Sequence, residues 1–304
     1  VRAYFWTPAF AALIIVLLFW TSYRQIVRVF KWLTLVLFAY VIAAFLAHPD
    51  WAAVLRYTFL PHLEWNSRYL SVLVGILGTT ISPYLFFWQA AQEVEEEADM
   101  GRTRLAQRKG ATMEELRAAR RDVVIGMFFS NIVMYFIILT TAATLHAQGK
   151  TDISSATDAA AALQPLLGRF AELLFAVGII GAGLLAIPVL TGSTGYTVSE
   201  AFGWRHGLDE NVTRAKGFYG IIIASTVAGM LFNYLGLDPI KALVYSAVIN
   251  GVTSPPLLFL IVMLSNRRTV MGEYTNRPWS NIFGWAAVLA MTAATIAYFV
   301  TFFV

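Results

Sequence analysis

The sequence contains no cysteine among its 304 residues and few charged residues, with Asp, Glu, Lys and Arg together at 13%. The missing cysteines exclude disulfide bonds, thiolate metal sites and cysteine nucleophiles. An average soluble domain has roughly 25% charged residues, so this composition excludes an ordinary soluble enzyme. The sequence also lacks a glycine loop for phosphate, a His-rich metal cluster and a Ser/His/Asp set. We therefore expect no enzymatic activity and no bound cofactor.

In place of charge, the chain has apolar runs of about 17 to 25 residues, the length that a helix needs to cross a bilayer. Hydrophobic residues make up 58% of the sequence, and nine Trp and thirteen Tyr fit aromatic belts at two membrane interfaces. These runs predict an all-α polytopic membrane protein in contact with the lipid bilayer. The eight predicted spans are residues 4–20, 29–47, 69–91, 123–146, 163–190, 217–236, 240–264 and 282–303.

Basic residues are concentrated on one side of the predicted spans. Sixteen of the 22 Lys and Arg lie in or next to the loops that follow the first, third, fifth and seventh spans. The positive-inside rule places these loops in the cytoplasm. Topology thus explains the net charge of +4, and we expect no nucleic-acid partner and see no evidence of an obligate protein partner. The expected location is the bacterial inner membrane.

The longest cytoplasmic loop, residues 92–122, contains a helix signal. Thr112 and Glu115 have the spacing of a capping box, in which each side chain accepts a hydrogen bond from the other residue's amide. This spacing predicts a short surface helix from Met113 to Arg121.

An acidic run begins this loop, where Gln92–Asp99 reads QEVEEEAD. Carboxylates are unfavourable at a helix C-terminus, so the third span is expected to continue as a helix into the cytoplasm. The acids form either a solvated face or the exit of a cation pathway. The pathway candidates here are Gln89, Glu93 and Glu96.

Polar residues within other spans are second-tier candidates for the pathway. Asn131 in the fourth span and Asn250 in the seventh are interpreted first as helix-to-helix hydrogen bonds and second as ion ligands. After Asn250, the pair Pro255 and Pro256 predicts a second irregularity, because proline removes a backbone donor.

The third span has the strongest signal of a binding site. Gly78, Thr79, Thr80, Ser82 and Pro83 lie near its middle, and proline with glycine makes local unwinding easy. In one interpretation the helix breaks, and its carbonyls and hydroxyls bind a cation at mid-membrane, as in discontinuous transporter helices. In the other interpretation, a proline kink leaves the hydroxyls bonded to their own helix.

A cation at this break would lack a counter-charge from the chain. All four His lie in loops or at span ends, and no Asp or Glu lies at the centre of a predicted span. We therefore expect either a carboxylate from outside this sequence or an ion that stays largely hydrated.

Four segments resemble the Nramp family of divalent metal transporters, and within it the divergent magnesium-transporting branch. They are similar to the family's sixth helix, its seventh helix, its eighth helix with the entry to it, and its tenth helix with the loop that follows. In that order, the segments are Gly78–Glu97, Ser130–Ala143, Asp158–Gly183 and Ser254–Asn276.

The resemblance implies a LeuT-type fold of two inverted repeats. It aligns residues 1–304, as a single transmembrane domain, with the family's helices 4 to 11. Helices 1 to 3, with the Asp-Pro-Gly-Asn motif that supplies a metal-binding carboxylate, would then precede this sequence. The first residue, Val1, is not a Met, which agrees with this expectation.

The resemblance also implies the substrate. Ordinary members have Met-Pro-His where this sequence has Ser82-Pro83-Tyr84, and Thr79 corresponds to the small residue three positions before the Met. Hydroxyl oxygens in place of a thioether favour Mg²⁺, with Mn²⁺ also acceptable. Tyr84 in place of His implies metal flow without the family's proton coupling. The predicted ligands are Thr79, Thr80 and Ser82; the alternative is an amino-acid or other organic-solute transporter of the same fold.

Overall fold

A computed structural model describes residues 6–20, 35–108, 110–153, 155–160, 169–208, 210–236, 238–301 and 303. All regular secondary structure in these ranges is helical. The predicted-span residues 4–5, 29–34 and 163–168 and the basic residues Arg24, Arg28, Lys31 and Lys109 lie outside the described residues. The helices are α1 (Trp6–Trp20), α2 (Ala39–Leu46), α3 (Trp51–Phe59), α4 (Ser67–Thr80), α5 (Pro83–Asp99), α6 (Met113–Thr144), α7 (Ala156–Ala160), α8 (Arg169–Phe202), α9 (Lys216–Tyr234), α10 (Pro239–Ser265), α11 (Arg268–Met271) and α12 (Pro278–Val300).

The apolar helices confirm the all-α polytopic class. Five helical segments of the described chain are long and apolar enough to span a membrane, and two shorter apolar helices accompany them. All seven overlap spans that the hydropathy pattern predicts. The long segments are Ser67–Asp99, Met113–Gln148, Ala176–Phe202, Pro239–Ser265 and Pro278–Val300, and the shorter ones are Trp6–Val16 and Lys216–Phe232.

The chain forms two compact units. The first comprises Val1–Thr58, Phe87–Gln92 and Arg121–Lys241. Its core is aromatic: Trp88, Tyr196 and Phe218 are buried, with the ring centroids of Trp88 and Tyr196 6.0 Å apart and those of Tyr196 and Phe218 4.8 Å apart. These side chains hold α8 against α9 and against the central part of α5.

The second unit comprises Phe59–Phe86, Glu93–Arg120 and Ala242–Val304. Within it α4 packs along α12 and also contacts α10. This unit contains the predicted helix break.

The loop between α5 and α6 has the features predicted for both of its ends. The helix that begins at its second end is longer than predicted. As expected, α5 continues through the acidic run to Asp99. The capping box is confirmed, since the Thr112 amide donates to Glu115 Oε2 at 2.7 Å and the Glu115 amide donates to Thr112 Oγ1 at 3.2 Å. The short helix was a wrong prediction: the helix runs on to Thr144, because no Gly or Pro separates Arg121 from the apolar run at Val123.

Arg102 joins the two ends of this loop. Its guanidinium contacts Glu97 at 2.7 Å and Glu115 at 3.0 Å. Hydrogen bonds and charge from these two carboxylates raise the pKa of Arg102 above its usual range. The capped start of α6 is thereby tied to the C-terminal end of α5.

The predicted irregularity at Pro255 and Pro256 is not a break. Both prolines lie inside α10, which is helical from Pro239 to Ser265. Each proline lacks an amide N–H, so α10 loses two backbone donors at this point while the residues on both sides stay helical.

Candidate functional site: the break between α4 and α5

The predicted break in the third span is present as two non-helical residues. Ile81 has φ −114° and ψ 72°, and Ser82 is extended with φ −88° and ψ 119°. Pro83 then takes the first position of α5, where its missing N–H is not required. The proline thus ends one helix and begins the next.

The hydroxyls at the break all bond to carbonyls of their own segment. Thr79 Oγ1 and Thr80 Oγ1 each donate to the Ile76 carbonyl at 2.8 Å. Ser82 Oγ lies 2.9 Å from the Thr79 carbonyl and 3.0 Å from that of Gly78. The backbone is broken, as in the first interpretation of the sequence. The hydroxyls bond to their own helix, as in the interpretation of a proline kink.

Ser82 compensates for the donor that Pro83 lacks. In an uninterrupted helix the Thr79 carbonyl would accept from the amide of residue 83, which is a proline. The Ser82 hydroxyl occupies that carbonyl instead. Through this bond the hydroxyl stabilises the broken backbone.

Accessibility distinguishes the three predicted ligands. Thr79 is exposed, Thr80 is half-buried, and Ser82 is only 2% exposed. Each hydroxyl donates its one proton to a carbonyl, so only the lone pairs of its oxygen can bind a cation or its water. In this conformation Thr79 is therefore the most accessible oxygen donor of the three.

Helix α10 supports the break from one side. Ser254, fully buried on α10, places its hydroxyl 2.7 Å from the Ile81 carbonyl and 2.6 Å from that of Asn250. A Cβ atom added to Gly78 would lie 2.3 Å from the Gly251 nitrogen, so the backbones of α4 and α10 are in close contact. Ser254 and Gly251 were not among the site residues predicted from the sequence.

A signal for this contact exists in the sequence. Ala247 and Gly251 are small residues four positions apart, the spacing that lets membrane helices approach closely. Ser254 follows one turn later.

The candidate ligands at the break are uncharged hydroxyl and carbonyl oxygens. Among the described residues, no group of three or more His, Cys, Asp or Glu is placed to hold a metal ion. Hydroxyl and carbonyl oxygens suit hard cations, and Mg²⁺ in particular keeps several of its waters when bound.

The structure also describes the surroundings of the other candidates. The Asn131 amide donates to the Met127 carbonyl of its own helix at 2.7 Å, and no hydrogen bond between the described residues joins this side chain to another helix. Asn250 reaches the cluster only through its backbone carbonyl, which accepts from Ser254 and from Thr253. The side chains of Gln89, Glu93 and Glu96 are exposed along α5, past the break. Tyr84 is half-buried in the first turn of α5.

Comparison with known proteins identifies the family. Residues 1–301 match the family described as Nramp, natural resistance-associated macrophage protein-like. The chain belongs to the Nramp family. Nramp proteins are transporters of the LeuT-type fold, so the chain is an integral, multi-pass membrane protein and not an enzyme. The resemblance in the sequence is confirmed at the level of the family.

Curated relatives carry the name divalent metal cation transporter MntH. The Caldanaerobacter subterraneus subsp. tengcongensis protein is 26% identical over 256 residues, covering 84% of this chain and 56% of the relative. The Deinococcus radiodurans protein is 29% identical over 262 residues, covering 84% and 54%. The Clostridium acetobutylicum protein is 25% identical over 265 residues, covering 87% and 57%. This Nramp chain thus spans somewhat more than half the length of these relatives.

Proposed function

We propose that this Nramp protein carries divalent metal cations, with Mg²⁺ as its principal substrate and Mn²⁺ as a second one, across a bacterial inner membrane by alternating access. The observation that carries the proposal is the helix break at Ile81–Ser82, which places three hydroxyls and several carbonyls together within a predicted span. The names of the bacterial relatives support divalent metal as the cargo.

The preference for Mg²⁺ follows from the donor set. The break offers oxygen and no thioether or imidazole, since the sequence there reads Thr79-Thr80-Ile81-Ser82-Pro83-Tyr84. A site with thioether or imidazole ligands selects Fe²⁺ or Zn²⁺. A site with hydroxyls in their place selects these two ions less strongly. An ion that retains part of its hydration shell also needs fewer protein charges around it.

The residues have different roles in this proposal. Thr79 and Thr80 present oxygen to the ion or its waters, because they are the more accessible hydroxyls. Ser82 stabilises the break while no ion is bound and exchanges its bonds with the Gly78 and Thr79 carbonyls for the cation during transport. Pro83 keeps the two helices from joining. Asn131, Asn250, Gln89, Glu93 and Glu96 are second-tier residues of the pathway.

The experiment is cation uptake into liposomes by the protein expressed from its complete gene. Mg²⁺ and Mn²⁺ influx are measured with and without a pH gradient. Thr79→Val removes one oxygen at constant shape and is expected to reduce uptake about tenfold, the effect of losing one hydrogen bond to a charged group. Thr253→Val on α10 is the matched control, because Thr253 is also exposed and bonds only to its own helix.

A second variant tests the metal preference. Ser82→Met restores the residue type of the ordinary family members and is expected to weaken Mg²⁺ entry more than Mn²⁺ entry. Equal loss for both ions would contradict the oxygen-site proposal. If no divalent cation enters under any condition, the metal proposal is wrong, and uptake of labelled amino acids would then test the organic-solute alternative.

A further inference from the structure

A basic pocket lies at the loop between α8 and α9, in the first unit. Its lining residues come from both ends of the loop and from the first turn of α9, and the cavity has a volume of about 440 Å³. The charge distribution along the chain places this loop on the cytoplasmic side. We define the basic pocket by its lining residues, which are Trp204, Arg205, Thr213, Arg214, Lys216 and Gly217.

The three cations of the pocket are uncompensated in the part of the chain that the structure describes. Arg205, Arg214 and Lys216 are exposed, form no ion pair with a described carboxylate, and share the pocket with no acidic side chain. Glu200, the acid at the end of α8, is directed to His206, with Oε1 and Nε2 3.8 Å apart. Three like charges around one cavity attract an anion.

The loop that carries the pocket is held by hydrogen bonds from two buried tyrosines. The Tyr196 hydroxyl accepts from the Leu208 amide at 3.2 Å. The Tyr219 hydroxyl lies 3.1 Å from the Leu208 carbonyl and 3.1 Å from that of Glu210. These bonds hold the backbone between Arg205 and Thr213 in place at Leu208 and Glu210 without a ligand, which lowers the entropy cost of binding.

Trp204 fixes the wall of the pocket against α9. Its ring packs directly on Gly217, where an added Cβ would lie 2.4 Å from the ring. Its amide donates to the Ser199 carbonyl at 2.8 Å. The α9 N-terminus beside it has no side-chain cap, because Ala215 precedes it, so the first amides of α9 add partial positive charge to the same place.

We propose that the basic pocket binds a phosphate group. Arg and Lys both bind phosphate oxygens, and the Thr213 hydroxyl and the first-turn amides of α9 add neutral donors. Phosphate can come from the headgroup of an anionic phospholipid or from a soluble cytoplasmic phosphate. Phe202, stacked on Trp204 with centroids 5.2 Å apart and 68% exposed, supports the headgroup, because aromatic side chains favour the membrane interface.

The experiment measures binding to the purified protein in neutral detergent, in two arms. In one arm phosphatidylglycerol is titrated into the micelles, and in the other inorganic phosphate is added against chloride at equal ionic strength. The melting temperature reports binding in both arms. Arg205→Gln and Arg214→Gln are each expected to weaken the apparent affinity about fivefold, the effect of one basic residue near an anionic headgroup.

Two further variants control for charge and folding. Arg268→Gln removes a cytoplasmic, exposed arginine outside the basic pocket and is expected to leave the affinity unchanged. Arg214→Lys keeps the charge and is expected to retain most of the binding that Arg214→Gln loses. This comparison separates lost binding from lost folding.

The two arms separate the possible sources of phosphate. Pocket-dependent binding of phosphatidylglycerol supports the proposal and identifies a lipid headgroup as the ligand. Pocket-dependent binding of inorganic phosphate alone supports it with a soluble ligand. Binding that falls equally in Arg268→Gln, or no pocket-dependent binding in either arm, would overturn the proposal.

Discussion

Gly78 on α4 and Gly251 on α10 bring the backbones of two helices into contact beside the helix break. A Cβ at Gly78 would lie 2.3 Å from the Gly251 nitrogen and 2.3 Å from the Ala247 carbonyl oxygen, and a Cβ at Gly251 would lie 2.4 Å from the Val74 carbonyl oxygen. Backbone atoms cannot rotate away as a side chain can. This contact therefore sets the spacing of the two helices that form the candidate site.

Substitution of either glycine is expected to separate α4 from α10. Gly78→Ala or Gly251→Ala should lower the free energy of unfolding by about 3 kcal/mol, at the upper end of the usual cost of overpacking. Thermal unfolding in detergent measures the effect. Gly75→Ala is the matched control, because its Cβ would meet its nearest neighbour, Val248 Cγ2, at an ordinary 3.6 Å. Equal melting temperatures for Gly78→Ala and Gly75→Ala would show that the close contact does not hold in solution.

Removal of the Ser82 hydroxyl is expected to destabilise the break. Ser82→Ala removes the hydroxyl that contacts the buried Gly78 carbonyl and the Thr79 carbonyl, which costs about 1–3 kcal/mol for a buried group. Hydrogen exchange of the amides in the first turn of α5 should increase. Ser71→Ala, which removes a hydroxyl bonded to the Arg68 carbonyl within the regular part of α4, should change stability by less than about 0.5 kcal/mol. The interpretation fails if both variants behave alike.

Loss of the Ser254 hydroxyl should affect transport as well as stability. Ser254→Ala removes the one side-chain hydrogen bond described between α10 and the break, at the Ile81 carbonyl. We expect a loss of about 1–3 kcal/mol in unfolding free energy and slower cation uptake in liposomes, because the break is no longer held by α10. The neighbouring residue provides the comparison: Thr253→Ala removes an exposed hydroxyl that bonds within its own helix. Unchanged uptake in Ser254→Ala would show that cation transport does not depend on this hydrogen bond.

The connection between α10 and α12 is expected to depend on Asn281. Asn266 and Asn281 exchange side-chain hydrogen bonds of 2.7 Å and 2.8 Å, and Asn276 donates to the same Asn281 oxygen at 3.1 Å. Asn281→Ala breaks all three, so hydrogen exchange over residues 265–281 should increase, with a stability loss of about 1–3 kcal/mol. The adjacent exposed residue Ser280, changed to Ala, should leave the exchange pattern as it is. Similar exchange in both variants would mean that the amide bonds contribute nothing to order in this loop.

Local sequence signals predicted the features that depend on neighbours in the chain. The Thr112–Glu115 capping box was correct to the atom pair, because its partners are three residues apart. Pro83 marked the break, since proline acts on its own turn. The wrong prediction, the end of a helix at Arg121, concerns how far a helix continues, since that helix runs from Met113 to Thr144. Continuation depends on the sum of weak terms over many residues, so a local signal does not decide it.

From the sequence alone follow the all-α membrane class of this Nramp chain, the position of the proline that interrupts the third span, and the oxygen atoms near that proline. Composition, hydropathy and a single proline suffice for these, because each acts through the solvent or the local backbone. Only the tertiary structure decided that Ser254 reaches the Ile81 carbonyl, that Gly78 meets Gly251, and that Ser82 is buried while Thr79 is exposed. Ser254 is 173 residues from Ile81 in the chain, so only the packing of α4 on α10 could reveal that contact.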